Sequence, residues 1–174
     1  MLNPREAHMT VFHMNYLYAI GGNTPTVERY RLQDDEWESL PSIPLATKDM
    51  GVIFMESPPS IYALGGRGRE LTLDTIQKLD LAALKWEILG LKLPSFVRWG
   101  VCFKIDESTI YLAIYNILYA FDLQAQSIYQ VKQLPKHAMS YFGPSTLYKG
   151  VLYCSSAHGE MRRVEVGSVV KALE

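Results

Sequence analysis

The chain has 174 residues, a net charge of −1, 48% hydrophobic and 20% charged residues. That length suits one domain with a sizeable core. The near-neutral balance excludes nucleic acid as the main partner, because phosphate binding rests on a clustered positive field. The 11 Tyr, 12 Gly and 9 Pro run along the whole chain, and such a mix favours pleated strands punctuated by turns.

The N-terminal run MLNPREAHMT has no charged stretch followed by an apolar segment, so no signal peptide is expected. The first landmark is YLYAIGG at 16–22, which includes Gly21 and Gly22. YRLQDDEW follows, with Tyr30 seven residues before Trp37, and then Leu40-Pro41. The series begins again after Gly51: IYALGG at 61–66 with Gly65 and Gly66, LDLAALKW with Leu79 seven before Trp86, and Leu93-Pro94. After Gly100 come IYLAIY at 110–115, FDLQAQSI with Phe121 seven before Ile128, and Leu134-Pro135. Gly143 opens a last unit with LYCSSA at 152–157. Internal repetition at this period signals a repeat architecture.

Short strands between turn signals give an all-β reading. In the second unit they are expected at 51–55, 61–64, 75–79 and 85–89, with turn material at 56–60 and 65–70. No segment keeps a 3.6-residue apolar period, so almost no helix is expected. Residues 164–173 are compatible with two last strands or with an end carrying some helix. A four-stranded sheet cannot bury both apolar faces alone, and stacking sheets around an axis does so. The longest apolar run, 110–121, is interrupted by Asn116 and is shorter than the roughly 20 residues that span a bilayer. Cys102 and Cys154 sit in apolar runs and are expected to be reduced thiols. A cytoplasmic protein without membrane contact follows as the expectation.

These marks resemble the kelch repeat over nearly the whole chain. The first unit matches best and the second closely. The third has Ile114-Tyr115 where the family has Gly-Gly, and Ile128 where it has Trp. The fourth keeps Tyr153 and small residues at Ser156-Ala157. The resemblance implies a kelch-type β-propeller of about four blades of four antiparallel strands, at about 7–45, 46–94, 95–137 and 138–174. Kelch propellers usually close with five to seven blades, so an incomplete ring is expected, completed by further blades or self-association. The family's ubiquitin-ligase receptors act through a separate N-terminal domain, which this sequence is not expected to contain.

The resemblance also implies where a partner is met: on the loops after each second strand and between units. Here those loops carry Lys48, Asp49, Arg67, Arg69, Arg98, Trp99, Asn116, Tyr141 and His158. Arg, Trp and Tyr are enriched at binding hot spots, and the arginines would suit an acidic peptide. A plainer reading takes Trp99 and Phe142 as core and the rest as solvated. His8, His13, His137 and His158 show no metal-ligand spacing, so no metal or cofactor is expected. GGRGRE at 65–70 lacks the later glycine and helix of a phosphate loop. Ser155, Ser156, His158 and Glu160 are too close in sequence for a triad. The expected function is a non-enzymatic protein-interaction module. The alternatives are a partial propeller without independent function, or a propeller enzyme of oxidase or sugar-modifying type.

Overall fold

The structure is a computed structural model that describes residues 1–45, 48–68, 71–134, 145–155 and 161–166. The described residues form antiparallel sheets and include no helix, so none is long and apolar enough to cross a membrane. Sheet 1 is β1 (Met9–His13), β2 (Tyr16–Ile20), β3 (Val27–Arg31) and β4 (Glu36–Leu40). Sheet 2 is β5 (Gly51–Glu56), β6 (Pro59–Leu64), β7 (Thr75–Asp80) and β8 (Lys85–Lys92). Sheet 3 is β9 (Val101–Lys104), β10 (Thr109–Ile114), β11 (Ile117–Asp122) and β12 (Ser127–Gln133). Sheet 4 has three described strands, β13 (Ser145–Tyr148), β14 (Val151–Ser155) and β15 (Met161–Glu165). Strand order follows chain order in each sheet, which makes every sheet a meander and gives the all-β, kelch-type propeller fold read from the sequence. Residues 167–174, where a final strand or helix was left open, lie outside the described residues.

The seven-residue spacing becomes a cross-strand pair. Tyr30 pairs with Trp37, Leu79 with Trp86 and Phe121 with Ile128. Each hairpin ends its loop on a left-handed residue: Asp35 (φ 56°), Leu84 (φ 49°) and Gln126 (φ 50°). In the second and third sheets an aspartate shapes the turn. Asp80 Oδ1 accepts from the backbone of Ala82 and Ala83, and Asp122 Oδ1 from that of Gln124 and Ala125. Such Asx turns place polar residues where the chain reverses. The turn expected at 56–60 is tighter than the sequence suggested. Glu56 pairs with Pro59 around Ser57-Pro58, and Pro59 is tolerated as the first residue of a strand.

The chain divides into two compact units, Met1–Arg98 and Trp99–Glu174. Within the first, sheets 1 and 2 pack face to face. Tyr18, Ile20 and Val27 of sheet 1 meet Phe54, Ile61, Ala63 and Leu79 of sheet 2, with Met9, Val11, Val52 and Trp86 at the margin. Each such aliphatic side chain stabilises by about 1.5–3 kcal/mol on full burial. The Trp86 indole N–H also donates to the Pro41 carbonyl of the neighbouring sheet at 2.8 Å. Trp37 and Trp86 are half-buried, so they seal a margin of a sheet rather than fill its centre. His13, expected to face solvent, stacks on Phe54 with ring centroids 3.8 Å apart. Within the second unit, Phe103, Tyr111, Ala113, Leu118 and Ala120 of sheet 3 pack with Leu152, Val164 and Val166 of sheet 4. Cys102 is a free thiol, and burial pushes its pKa up to about 12.

Candidate functional site

The loop end of the first unit is built on Gly-Gly. The backbone turns at Gly21 (φ 64°) and Gly22 (φ 100°), and again at Gly65 (φ 66°) and Gly66 (φ 93°). Space is as tight as the dihedral is unusual. A Cβ on Gly22 would lie 2.5 Å from the Glu6 carbonyl oxygen, and one on Gly65 would lie 2.4 Å from Val97 Cβ. Only glycine allows that approach without strain. It lets the loop after the second strand lie against the segment leading into a first strand. Asn23 N donates to Glu6 O at 3.2 Å, and Arg67 and Lys48 exchange two backbone bonds at 2.7 and 3.0 Å.

This packing brings four of the residues expected on the contact face together in the first unit. Lys48 and Arg67 are bridged through their backbones. Asp49 Oδ2 lies 3.8 Å from the Arg98 guanidinium, and Lys48 Nζ lies 3.9 Å from the Glu6 carboxylate. These pairs are long and partly exposed, so each adds little stability. Their effect is to orient side chains and to offset part of the positive charge. Arg67 is exposed and has no ion pair among the described residues. In the second unit, Trp99 is half-buried, and Asn116 sits in the tight turn between β10 and β11. The Asn116 carbonyl accepts from Leu134 N at 2.7 Å and Gln133 Nε2 at 3.0 Å. Arg69, Tyr141 and His158 lie outside the described residues. Among the described residues, no group of three His, Cys, Asp or Glu is placed to hold a metal ion.

Two features escaped sequence reasoning. The first is a repeated left-handed residue two positions before each first strand: Ala7 (φ 52°), Asp49 (φ 59°) and Trp99 (φ 55°). No residue type marks it, so composition carries no signal. The second is a clasp on the lead-in segment. Glu28, buried on β3, accepts from Leu2 N at 2.8 Å, Asn3 N at 2.9 Å and Asn3 Nδ2 at 2.6 Å. It also pairs with Arg5 at 2.7 Å, both side chains being fully buried. The rest of the Arg5 guanidinium donates to the Gly21 and Thr26 carbonyls at 3.1 and 2.8 Å. Burial alone would push the Glu28 carboxyl up; the bonds from Asn3, Leu2 and Arg5 outweigh it and hold the carboxyl below its usual range. In the second sheet Gln77 takes the same place, and its Oε1 accepts from Leu45 N at 2.9 Å. The signal was available: Glu28 and Gln77 each stand two residues before the paired Tyr30 and Leu79.

No family model matches the chain. Human Kelch-like protein 23 is 33% identical over 102 residues, covering 58% of this chain and 18% of that protein. Kelch repeat and BTB domain-containing protein 2 of cowpox virus is 33% identical over 73 residues, covering 37% of this chain and 13% of that protein. With the repeated meanders and Gly-Gly loops, these similarities decide the family. The chain is a kelch-repeat β-propeller protein. It spans less than a fifth of the length of the curated kelch relatives it matches. The solved structure of YjhT aligns with a TM-score of 0.79 at 12% identity, over 88% of this kelch chain and 57% of its own, and shares the fold.

Proposed function

We propose that the chain is a non-enzymatic module that presents the loop end of its kelch blades to a protein partner, and that the partner segment is acidic. The observation that carries this reading is the Lys48–Arg67 backbone bridge. It sets two cations from different loops side by side on a rigid edge, next to the Asp49–Arg98 pair. Loops held by a rigid scaffold are where recognition concentrates. An exposed guanidinium beside them can engage a carboxylate through charge-assisted, bidentate hydrogen bonds. The kelch relatives agree with an interaction role.

Selection from a displayed library of random peptides tests this. Peptides rich in Asp and Glu should be enriched on the purified chain. Replacing Arg67 and Arg98 with Glu should lower their affinity at least about tenfold while leaving the melting temperature nearly unchanged. Enrichment of peptides without acidic residues would remove the acidic partner from the proposal. Binding unaffected by the double substitution would remove the face.

A further inference from the structure

Every packed pair of sheets in this chain uses the same two faces. The face of sheet 2 that meets sheet 1 carries Phe54, Ile61, Ala63 and Leu79. By strand register the equivalent residues of sheet 1 are Phe12, Leu17, Ala19 and Tyr30, because Phe12 pairs with Leu17 as Phe54 pairs with Ile61. Tyr30 and Trp37 stand where Leu79 and Trp86 stand. Covered by its neighbour, Phe54 is 8% exposed and Ile61 and Leu79 are 0% exposed; Phe12 is 59% exposed. Leu17, Tyr30 and Trp37 are half-open to solvent. The Trp86 indole reaches the Pro41 carbonyl across the sheet boundary, whereas the Trp37 indole has no acceptor among the described residues.

The complementary face is uncovered at the other end. On sheet 3, the face that meets sheet 4 carries the stacked Phe103–Tyr111 pair, centroids 5.4 Å apart. Thr146 and Tyr153 form the equivalent pair on sheet 4. Thr146 is exposed, Tyr153 half-open, and neighbouring Tyr148 is 59% exposed. One chain therefore carries both halves of its own repeating contact, each open to water. Aromatic side chains supply large contact area when such a face is covered.

We infer that these halves are joined between copies: sheet 1 of one copy seats on sheet 4 of a second copy, head to tail. A second copy is the occupant because it supplies the facing sheet in the register that the chain already uses between sheets 1 and 2 and between sheets 3 and 4. A contact between unlike faces closes into a ring when its rotation allows and extends into a filament when it does not. Phe12, Tyr30 and Trp37 form the aromatic centre of one half and Tyr148 and Tyr153 that of the other.

Sedimentation of the full chain over about 1 to 100 µM gives the test. The wild-type chain should be a dimer or larger, and Phe12→Arg and Tyr148→Arg should each weaken association at least about tenfold. Both positions are exposed, so circular dichroism melts should remain cooperative; Phe12→Ser serves as a milder second variant should Phe12→Arg fail to fold. Mixing the two arginine variants should restore a one-to-one pair, because together they keep one intact contact. A wild-type monomer over that range would overturn the inference, as would association that survives both substitutions or a mixture that stays monomeric.

Discussion

Sheets 1 and 2 keep the Gly-Gly turn, and sheet 3 replaces it with Ile114-Tyr115. The difference is structural as well as chemical. In sheets 1 and 2 the chain leaves the second strand at Gly21 and Gly65 and rejoins at Val27 and Thr75. In sheet 3, Ile114 stays in the strand and pairs with Ile117, so Tyr115 and Asn116 alone make the turn. Glycine is therefore needed where a loop must lie against a lead-in segment. Where the loop is cut to a hairpin, one strained residue suffices, and Tyr115 takes that role at φ 55°. The buried polar clasp fades along the same series. Glu28 and Arg5 of the first repeat align with Gln77 in the second, and with Tyr119 and Val97 in the third.

The comparison breaks most severely at the clasp. Arg5→Ala leaves Glu28 buried without its cation and should cost about 3–5 kcal/mol in urea unfolding. The double change Arg5→Val with Glu28→Gln, which copies the later repeats, should cost clearly less. The two proteins should also differ in acid. Glu28 titrates below its usual range when folded, so the unfolded chain binds more protons than the folded one as pH falls. Its contribution is complete above the ordinary carboxylate range and is lost as pH drops through the lowered folded value. The double variant should show a shallower acid limb in a stability profile against pH, and an unchanged limb would contradict this account of Glu28.

The turns come next. Gly65→Ala forces a Cβ toward Val97 and a left-handed alanine, together about 2–4 kcal/mol. Tyr115→Gly relieves a left-handed residue but adds chain entropy, so it should move stability by no more than about 0.5 kcal/mol. Thermal melts of the two variants test whether the Gly-Gly requirement belongs to the loop or to the repeat. The smallest expected effect is at the margin. Trp86→Phe keeps most of the apolar area but loses the bond to Pro41, about 1 kcal/mol; Trp37→Phe in dilute protein, without that bond, should cost less.

What could be read in the sequence was what the sheet forces into register. The Tyr30 and Trp37 spacing is legible because a fixed hairpin length makes them partners, and Gly65-Gly66 because no other residue fits. Arg5 and Glu28 were illegible: a single cation and a single carboxylate, far apart in sequence, look like ordinary surface charges until the lead-in segment folds across β3. On the candidate face, Lys48, Arg67 and Arg98 were found through the loops that carry them. Their partners Glu6 and Asp49 changed the picture, because a residue list shows neither the pairing nor the charge that it offsets.

The Glu28 clasp also changes what a chain end ordinarily is. Terminal amides usually exchange with solvent almost as freely as in an unfolded peptide, since nothing holds them. Here the Leu2 and Asn3 N–H groups are spent on a carboxylate that is itself sealed beneath Arg5. Their protons can leave only when the lead-in strand lifts off the sheet. The first residues of the chain would thus report, through their slow exchange, on the opening of sheet 1.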